Sequence, residues 1–199
     1  MTAHPEVILG IESAVAGGSL CVLADGKEIG SWVGKSEHPL RAEVLMMEIT
    51  KLLRRASVEK SQLTRVAVSS GPGSFTGIRV GLATAMGLTG GLGIEISRAS
   101  VLEALAAATS HSGAVLVPVG RGTAVWQMFK EGIPMSEPAS IDQTLLSAAT
   151  DGNRIVAHAS LQPVLRSAAE FVTDLAFPIA KFAERWPERS SAPIFLSKK

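Results

Sequence analysis

Apolar residues along this chain follow two rhythms, and the alternation between them outlines a fold. The runs at 7–11 (VILGI) and 19–23 (SLCVL) are short and continuously apolar, as strands covered on both faces are. A loop of small residues, ESAVAGG, joins them, and Asp25-Gly26 then signals a tight hairpin into a third strand at 29–33. The period changes at 39–55. There Ala42, Leu45, Met46, Ile49, Leu52 and Leu53 fall on one arc at 100° per residue, which predicts an amphipathic helix. A buried strand follows at 65–70, a second helix at 75–92, a strand at 94–97 and a third helix after Ser100. Glu103 stands where a capping box with Ser100 would place it.

The second half repeats this order in thinner form. Strands are predicted at 114–119, 124–129 and 154–158, with helices near 141–149 and at 161–173. A repeated order with no linker or low-complexity segment between the halves implies an α/β chain of two lobes, 1–100 and a reduced 101–199.

The segment between the fourth strand and the second helix, SSGPGSFTGIRVG, resembles a phosphate-binding loop at first sight. Its chemistry is different. A P-loop ends in Gly-Lys-Ser/Thr, whereas Gly77 is followed by Ile78 and Arg79, and the loop contains no lysine. Gly71, Gly73 and Gly77 are spaced one residue too long for the dinucleotide fingerprint. Free amides at the helix start could hold an anion, but the Ser74 hydroxyl suffices to cap them. Beyond the turn, Gly77, Gly81, Ala85 and Thr89 recur every four residues and leave a smooth stripe on a helix whose other positions are mostly apolar. Such a stripe serves close packing inside the monomer or contact with another subunit, and the pattern alone leaves both open. Opposite the core arc of the first helix, Leu40, Val44 and Met47 line up amid Glu43, Glu48, Lys51, Arg54 and Arg55, as in a helix-packing seam.

Composition narrows the functional classes. A net charge of +1 over 199 residues argues against nucleic-acid binding by electrostatics alone. The single cysteine, Cys21, excludes a disulfide framework and reads as core packing. The start of the chain carries no basic leader, and no apolar run reaches membrane length, so a cytoplasmic protein is expected. His4, His38, His111 and His158 show no metal-ligand spacing. Metal-dependent phosphoryl transfer would want an acid at the end of the first strand and another in the second lobe. Glu12, followed by Ser13, fills the first place; Asp142 and Asp151 are the candidates for the second, and cap or turn roles explain all three acids. No catalytic residue is assigned.

The stretch SSGPGSFTGIRVGLATAMGL closely resembles the signature of the bacterial TsaB (YeaZ) family. Further likeness lies in VILGIES, EVLMMEITKLL, SVLEALA and APIFL, the last resembling the family's C-terminal strand; it is strong over about 6–109 and patchy afterwards. The resemblance implies an actin-like/Hsp70-like ATPase (ribonuclease H-like) fold of two lobes, the second reduced. It implies a non-catalytic subunit for synthesis of threonylcarbamoyladenosine on tRNA, at the adenosine next to the anticodon. The partners it implies are a catalytic paralogue, TsaD, docked through a bundle of the first two helices of each subunit, and an ATPase subunit, TsaE. A homodimer through the same surface is implied when the chain is alone. On this chain that surface would comprise Leu40, Val44, Met47 and Lys51 with Gly77, Val80, Gly81, Thr84 and Ala85. ATP and metal would be handled by the partners, with no cofactor required here, and tRNA would be met mainly through the complex.

This chain departs from the family pattern at several places. Glu12 replaces the usual Asp, and Arg41 stands near the usual place of a histidine, with His38 earlier. The family's Asp-Ala-Arg-x-Gly segment is shortened to VGRGTAVW, which keeps Arg121 and Gly122 and loses the acid. Glu12, Ser13 and Arg121 would mark what remains of a nucleotide site. The rival reading is a small kinase or ATPase of the same superfold, with Glu12 positioning a metal-nucleotide. A metallopeptidase is disfavoured by the missing histidine pair.

Overall fold

The computed structural model describes residues 5–15, 17–35, 40–120, 122–146, 152–165 and 169–188. Strands β1 (Val7–Glu12), β2 (Ser19–Ala24) and β3 (Lys27–Val33) form an antiparallel meander. Helix α1 (Ala42–Arg55) leads to β4 (Arg65–Ser69), which pairs parallel to β1; helix α2 (Phe75–Leu92) leads to β5 (Glu95–Ala99), parallel to β4. The sheet order is β3-β2-β1-β4-β5. After α3 (Val101–Ala108) the chain does the same again. Strands β6 (Gly113–Pro118), β7 (Thr123–Lys130) and β9 (Ala139–Asp142) are antiparallel neighbours, and β10 (Ile155–His158) and β11 (Ala169–Val172) add in parallel on the other side of β6. Strand β8 (Ile133–Pro134) extends the far end of β7. The repeated order expected from the sequence is therefore present at the level of strand pairing.

Side-chain alternation explains the layers. On β1, Val7, Leu9 and Ile11 pack with Leu45, Ile49, Leu52 and Leu53 of α1, while Ile8 faces the opposite way. On β2, Leu20 and Val22 join the first group and Cys21 and Leu23 the second. The inner group meets α3 and a fourth helix, α4 (Ala176–Arg185), whose other sides rest on Val115, Val117, Val125 and Val156 of the second sheet. Both faces of the sheet are thus covered at its central strands, which is why β1, β2 and β4 read as short apolar runs while the edge strands β3 and β5 do not. Each fully buried Leu or Ile of α1 contributes about 1.5–3 kcal/mol. Among the described residues, the outer face of the second sheet is covered mainly by Leu146, Leu161, Leu165 and Val164.

Several expectations are corrected. The helix expected near 141–149 starts later: Ile141 and Asp142 belong to β9, a 3-10 turn spans Gln143–Leu145, Leu146 is α-helical, and 147–149 lie outside the described residues. The helix expected at 161–173 is a 3-10 turn at Ala159–Leu161 and then β11. Phe171 and Val172 pair with Ala157 and His158 instead. Helix α4 was hidden by Pro178, which occupies the first turn, where an amide has no helical partner to lose. Ser100 stands at the N-cap of α3, yet its hydroxyl makes no capping bond. Ala42 begins α1 but is exposed, so the core arc is Leu45, Ile49, Leu52 and Leu53. The strand expected at APIFL lies outside the described residues.

One contact positions α2. The turn after β1 runs so close to the helix that a Cβ on Gly77 would sit 2.0 Å from the Ser13 carbonyl oxygen, and one on Gly73 2.3 Å from that of Ala14. A Cβ on Gly81 would lie 2.3 Å from Ser13 Oγ. Gly77→Ala should therefore lower the unfolding free energy by about 1–3 kcal/mol or more. Gly87, on the open side of the same helix with nothing near its missing Cβ, should tolerate alanine and gain up to about 1 kcal/mol. Urea titration of the two variants checks this; equal effects would overturn the packing of α2 on the turn.

Candidate functional site: a closed turn and an open groove

At the carboxyl end of β1, Glu12 is only 1% exposed. Its Oε1 accepts hydrogen bonds from the Ala14 and Val15 amides at 2.5 and 2.9 Å. The next two residues tie the turn to α2. Ser13 Oγ donates to the Gly77 carbonyl at 2.8 Å, and the Ser74 amide donates to the Ala14 carbonyl at 2.5 Å. The Ser74 hydroxyl accepts from the Gly77 amide at 3.3 Å and so caps the helix as its sequence position predicts.

A second acid, Asp174, stands at the start of α4, where it accepts from the Ala176 and Phe177 amides at 2.9 and 3.3 Å. Ser19 Oγ accepts from the Leu175 and Ala176 amides at 3.1 and 2.9 Å, joining β2 to the same corner. Burial pushes the Glu12 carboxyl up to about 7, against the two amide bonds that lower it, and Asp174 adds a like-charge push. Burial likewise raises Asp174 above the usual carboxylate range. Sequence reasoning missed Asp174, because nothing in TDLAFP marks it as the capping acid of a helix that carries proline.

This corner can hold a proton. His158 closes β10, where burial lowers its imidazole below the usual range and Nδ1 lies 2.9 Å from Ser160 Oγ. Cys21 is buried with its thiol pushed well up, and Asp142 serves its turn by accepting from Thr144. Among the described residues, no group of three or more His, Cys, Asp or Glu could hold a metal ion. Arg121, His4, His38 and Asp151 lie outside the described residues. An ATPase-type frame implies a nucleotide phosphate near the carboxyl ends of the parallel strands. The residues do not fit one: the turn's convergent amides already hold a carboxylate, and the glycine-tight contact with α2 leaves no space beneath them.

The outward side of α1 and α2 is open. Between the helices runs a groove of about 340 Å³ lined by Ala42, Phe75, Thr76, Arg79, Val80, Ala83 and Thr84. Of the expected interface residues, Val80 and Thr84 line it half-buried, Val44 is half-buried beside it, and Met47 is 46% exposed. Lys51 is exposed and paired with Glu48 at 2.8 Å, while Leu40 packs against the core under Gly18. Gly77, Gly81 and Ala85 are corrected: all three are buried against the chain's own sheet and turn, so the monomer does not present them to a partner. Phe75 and Met86, 51% and 64% exposed, were missed. The signal was available, since Phe75, Arg79, Ala83 and Met86 share the face opposite the glycine stripe.

The family model described as TsaD: tRNA N6-adenosine threonylcarbamoyltransferase matches residues 38–148. The chain belongs to this family, in its TsaB (YeaZ) branch. It is 36% identical over 85 residues to the tRNA threonylcarbamoyladenosine biosynthesis protein TsaB of Bacillus subtilis, covering 43% of this chain and 36% of that one. It is 29% identical over 137 residues to the uncharacterized protein ML0378 of Mycobacterium leprae, covering 67% and 38%. The chain thus spans little more than a third of the length of these relatives. YeaZ from Pseudomonas aeruginosa superposes with a TM-score of 0.68 at 18% identity, over 96% of this chain and 100% of that one. Further solved structures match at TM-scores of 0.60, 0.56 and 0.51, and the fold is the two-lobed actin-like ATPase fold expected from the sequence. Among the described residues, no helix of this TsaB-family chain is long and apolar enough to cross a membrane.

The buried acid makes stability depend on pH. Between the ordinary carboxyl value of 4.5 and about 7, folded Glu12 keeps a proton that the unfolded chain has released. Its contribution is therefore full below 4.5 and is lost as pH rises through 7, by up to about 3 kcal/mol, with Asp174 acting in the same direction. Glu12→Gln should flatten that decline in denaturant titrations run from pH 4.5 to 8. An unchanged slope would contradict the burial of an ionisable group at this position.

Proposed function

We propose that this chain is a non-catalytic subunit in the synthesis of threonylcarbamoyladenosine on tRNA, and that it works by docking the outward face of α1 and α2 on the catalytic paralogue, TsaD. The observation that supports this reading is the groove between the two helices. Phe75 stands in solvent in its wall with Arg79 over the ring at 3.8 Å, and Met47 of α1 and Met86 of α2 are two further large apolar side chains exposed on the same helices. Methionine, aromatic and arginine side chains on one face are the composition of the central part of a protein interface. Glu43, Lys51, Arg54 and Arg55 are the exposed charged residues of α1.

On this proposal the catalytic subunit transfers the threonylcarbamoyl group, TsaE supplies ATPase action, and tRNA is engaged mainly through the assembly. The chain needs no cofactor of its own and works in the cytoplasm. When alone, it pairs with a second copy through the same face, which covers the exposed side chains. The rival reading as a small kinase or ATPase finds less support, because the acid it needs for a metal-nucleotide is buried and committed to its own turn.

Co-purification with the catalytic paralogue, followed by a tRNA modification assay with and without this chain, tests the proposal. Val44→Arg or Met47→Glu should weaken pairing by roughly tenfold or more while leaving the monomer's stability within about 0.5 kcal/mol. Gel filtration that showed an intact complex with either variant would remove the groove from the docking surface. Turnover of ATP by the isolated chain would favour the kinase reading.

A further inference from the structure

The turn after β1 has the geometry of an anion site that is already filled. Two successive amides, of Ala14 and Val15, converge on one oxygen, as backbone nests do around phosphate oxygens. The turn lies beyond the carboxyl end of β1, beside its parallel neighbour β4, where open α/β sheets place their ligands. The oxygen on those amides, however, is Oε1 of Glu12.

We propose that Glu12 is a built-in substitute for a bound anion, its carboxyl oxygen occupying in cis the phosphate-receiving turn of this ATPase-type frame and holding turn and α2 together without a nucleotide. Contacts on both sides of the turn support this. On one side it cannot retreat, because Gly73, Gly77 and Gly81 leave no space between it and α2, and two hydrogen bonds tie the pair. On the other side, a Cβ on Gly18 would meet the Glu12 carbonyl oxygen at 2.9 Å and Leu40 Cδ2 at 2.7 Å. The charges nearby also offer an incoming polyphosphate no counter-ion. The loop 71–77 has no lysine, and Arg79, the one cation of α2, is turned out over the Phe75 ring. From α4, Asp174 faces the corner with a like charge, with Glu28 of β3 acting on Asp174 in turn.

The isolated full-length chain tests this, and no readout involves a partner, so the result stands apart from the docking proposal. Calorimetry of the wild type with ATP, with and without magnesium, and with inorganic phosphate should show no binding at millimolar ligand. Glu12→Gly removes the carboxylate and leaves the two amides open. Its melting temperature should fall, and formate or inorganic phosphate should raise it again with the logarithmic dependence of a ligand that binds only the folded state. The Ala14 and Val15 amide resonances should move with the added anion in the variant and stay fixed in the wild type, while chloride at equal ionic strength acts on neither. Glu12→Gln, which keeps an acceptor oxygen at the same reach, should need no anion. If Glu12→Gly folds poorly, its refolding yield with and without formate gives the same reading. Binding of ATP or phosphate to the wild type at these amides would overturn the proposal, and so would a Glu12→Gly variant indifferent to formate and phosphate.

Discussion

The close approach of the Ser13–Ala14 turn to the glycine face of α2 is the constraint on which the functional surfaces depend. Gly77 and Gly81 leave that face without side chains, and Gly73 does the same in the loop before it; the Ser13 and Ala14 carbonyls and the Ser13 hydroxyl occupy the space that side chains would need. Because the helix sits this low, the turn has no room to open, and Glu12 is sealed beneath it. Phe75, Arg79 and Ala83 lie on the side away from that contact, where they border the groove with α1, and Met86 is exposed on the same side of the helix. A closed corner and an open surface are two consequences of one packing arrangement, since residues spaced by two along a helix face nearly opposite ways.

The two sheets share a middle layer. Helices α3 and α4 lie between them, and α4, which comes from the end of the described chain, packs on β1 and β2 of the first sheet. That return is permitted by Gly10: a Cβ there would lie 2.7 Å from the Ala176 carbonyl oxygen and 3.1 Å from Ala180 Cβ. Asp174 and Ser19 then fix the helix start to β2 through the Leu175, Ala176 and Phe177 amides. The acid pair is thereby a consequence of topology. Glu12 ends the first strand, Asp174 begins the last described helix, and closing the middle layer brings their charges into one poorly solvated corner.

Much of this was legible in the sequence where local pattern and tertiary burial agree. The alternation of β1 and β2, the Asp25-Gly26 hairpin and the limits of α2 followed from apolar period and turn chemistry, because those segments bury the faces that their sequences mark. The second half was harder for identifiable reasons. Strand β11 and helix α4 carry signals that contradict their local context: Phe171 and Val172 follow a helix-like stretch, and Pro178 stands in a helix where only its first-turn position makes it harmless. The glycine stripe of α2 was seen, but its partner could not be named. Period shows that a face is smooth; it does not show whether a loop of the same chain or a second molecule lies on it.

That last ambiguity matters most for function. A helix with small residues on one face and mixed apolar residues on the other offers two surfaces for close contact, and the turn after β1 uses the smooth one. What remains for a partner is the side carrying Phe75, Val80, Thr84 and Met86, together with Val44 and Met47 of α1. The surface is less flat than a glycine ladder would have made it, with long flexible methionines able to adapt to a facing helix. The balance between cleft and surface follows from the same residues. In an ATPase-type frame, the end of β1 is where a ligand would set the geometry of the turn and everything packed on it. Here a carboxyl oxygen from the strand itself meets those amides, so the position of α2, and with it the shape of the groove, is tied to β1 by the chain's own contacts.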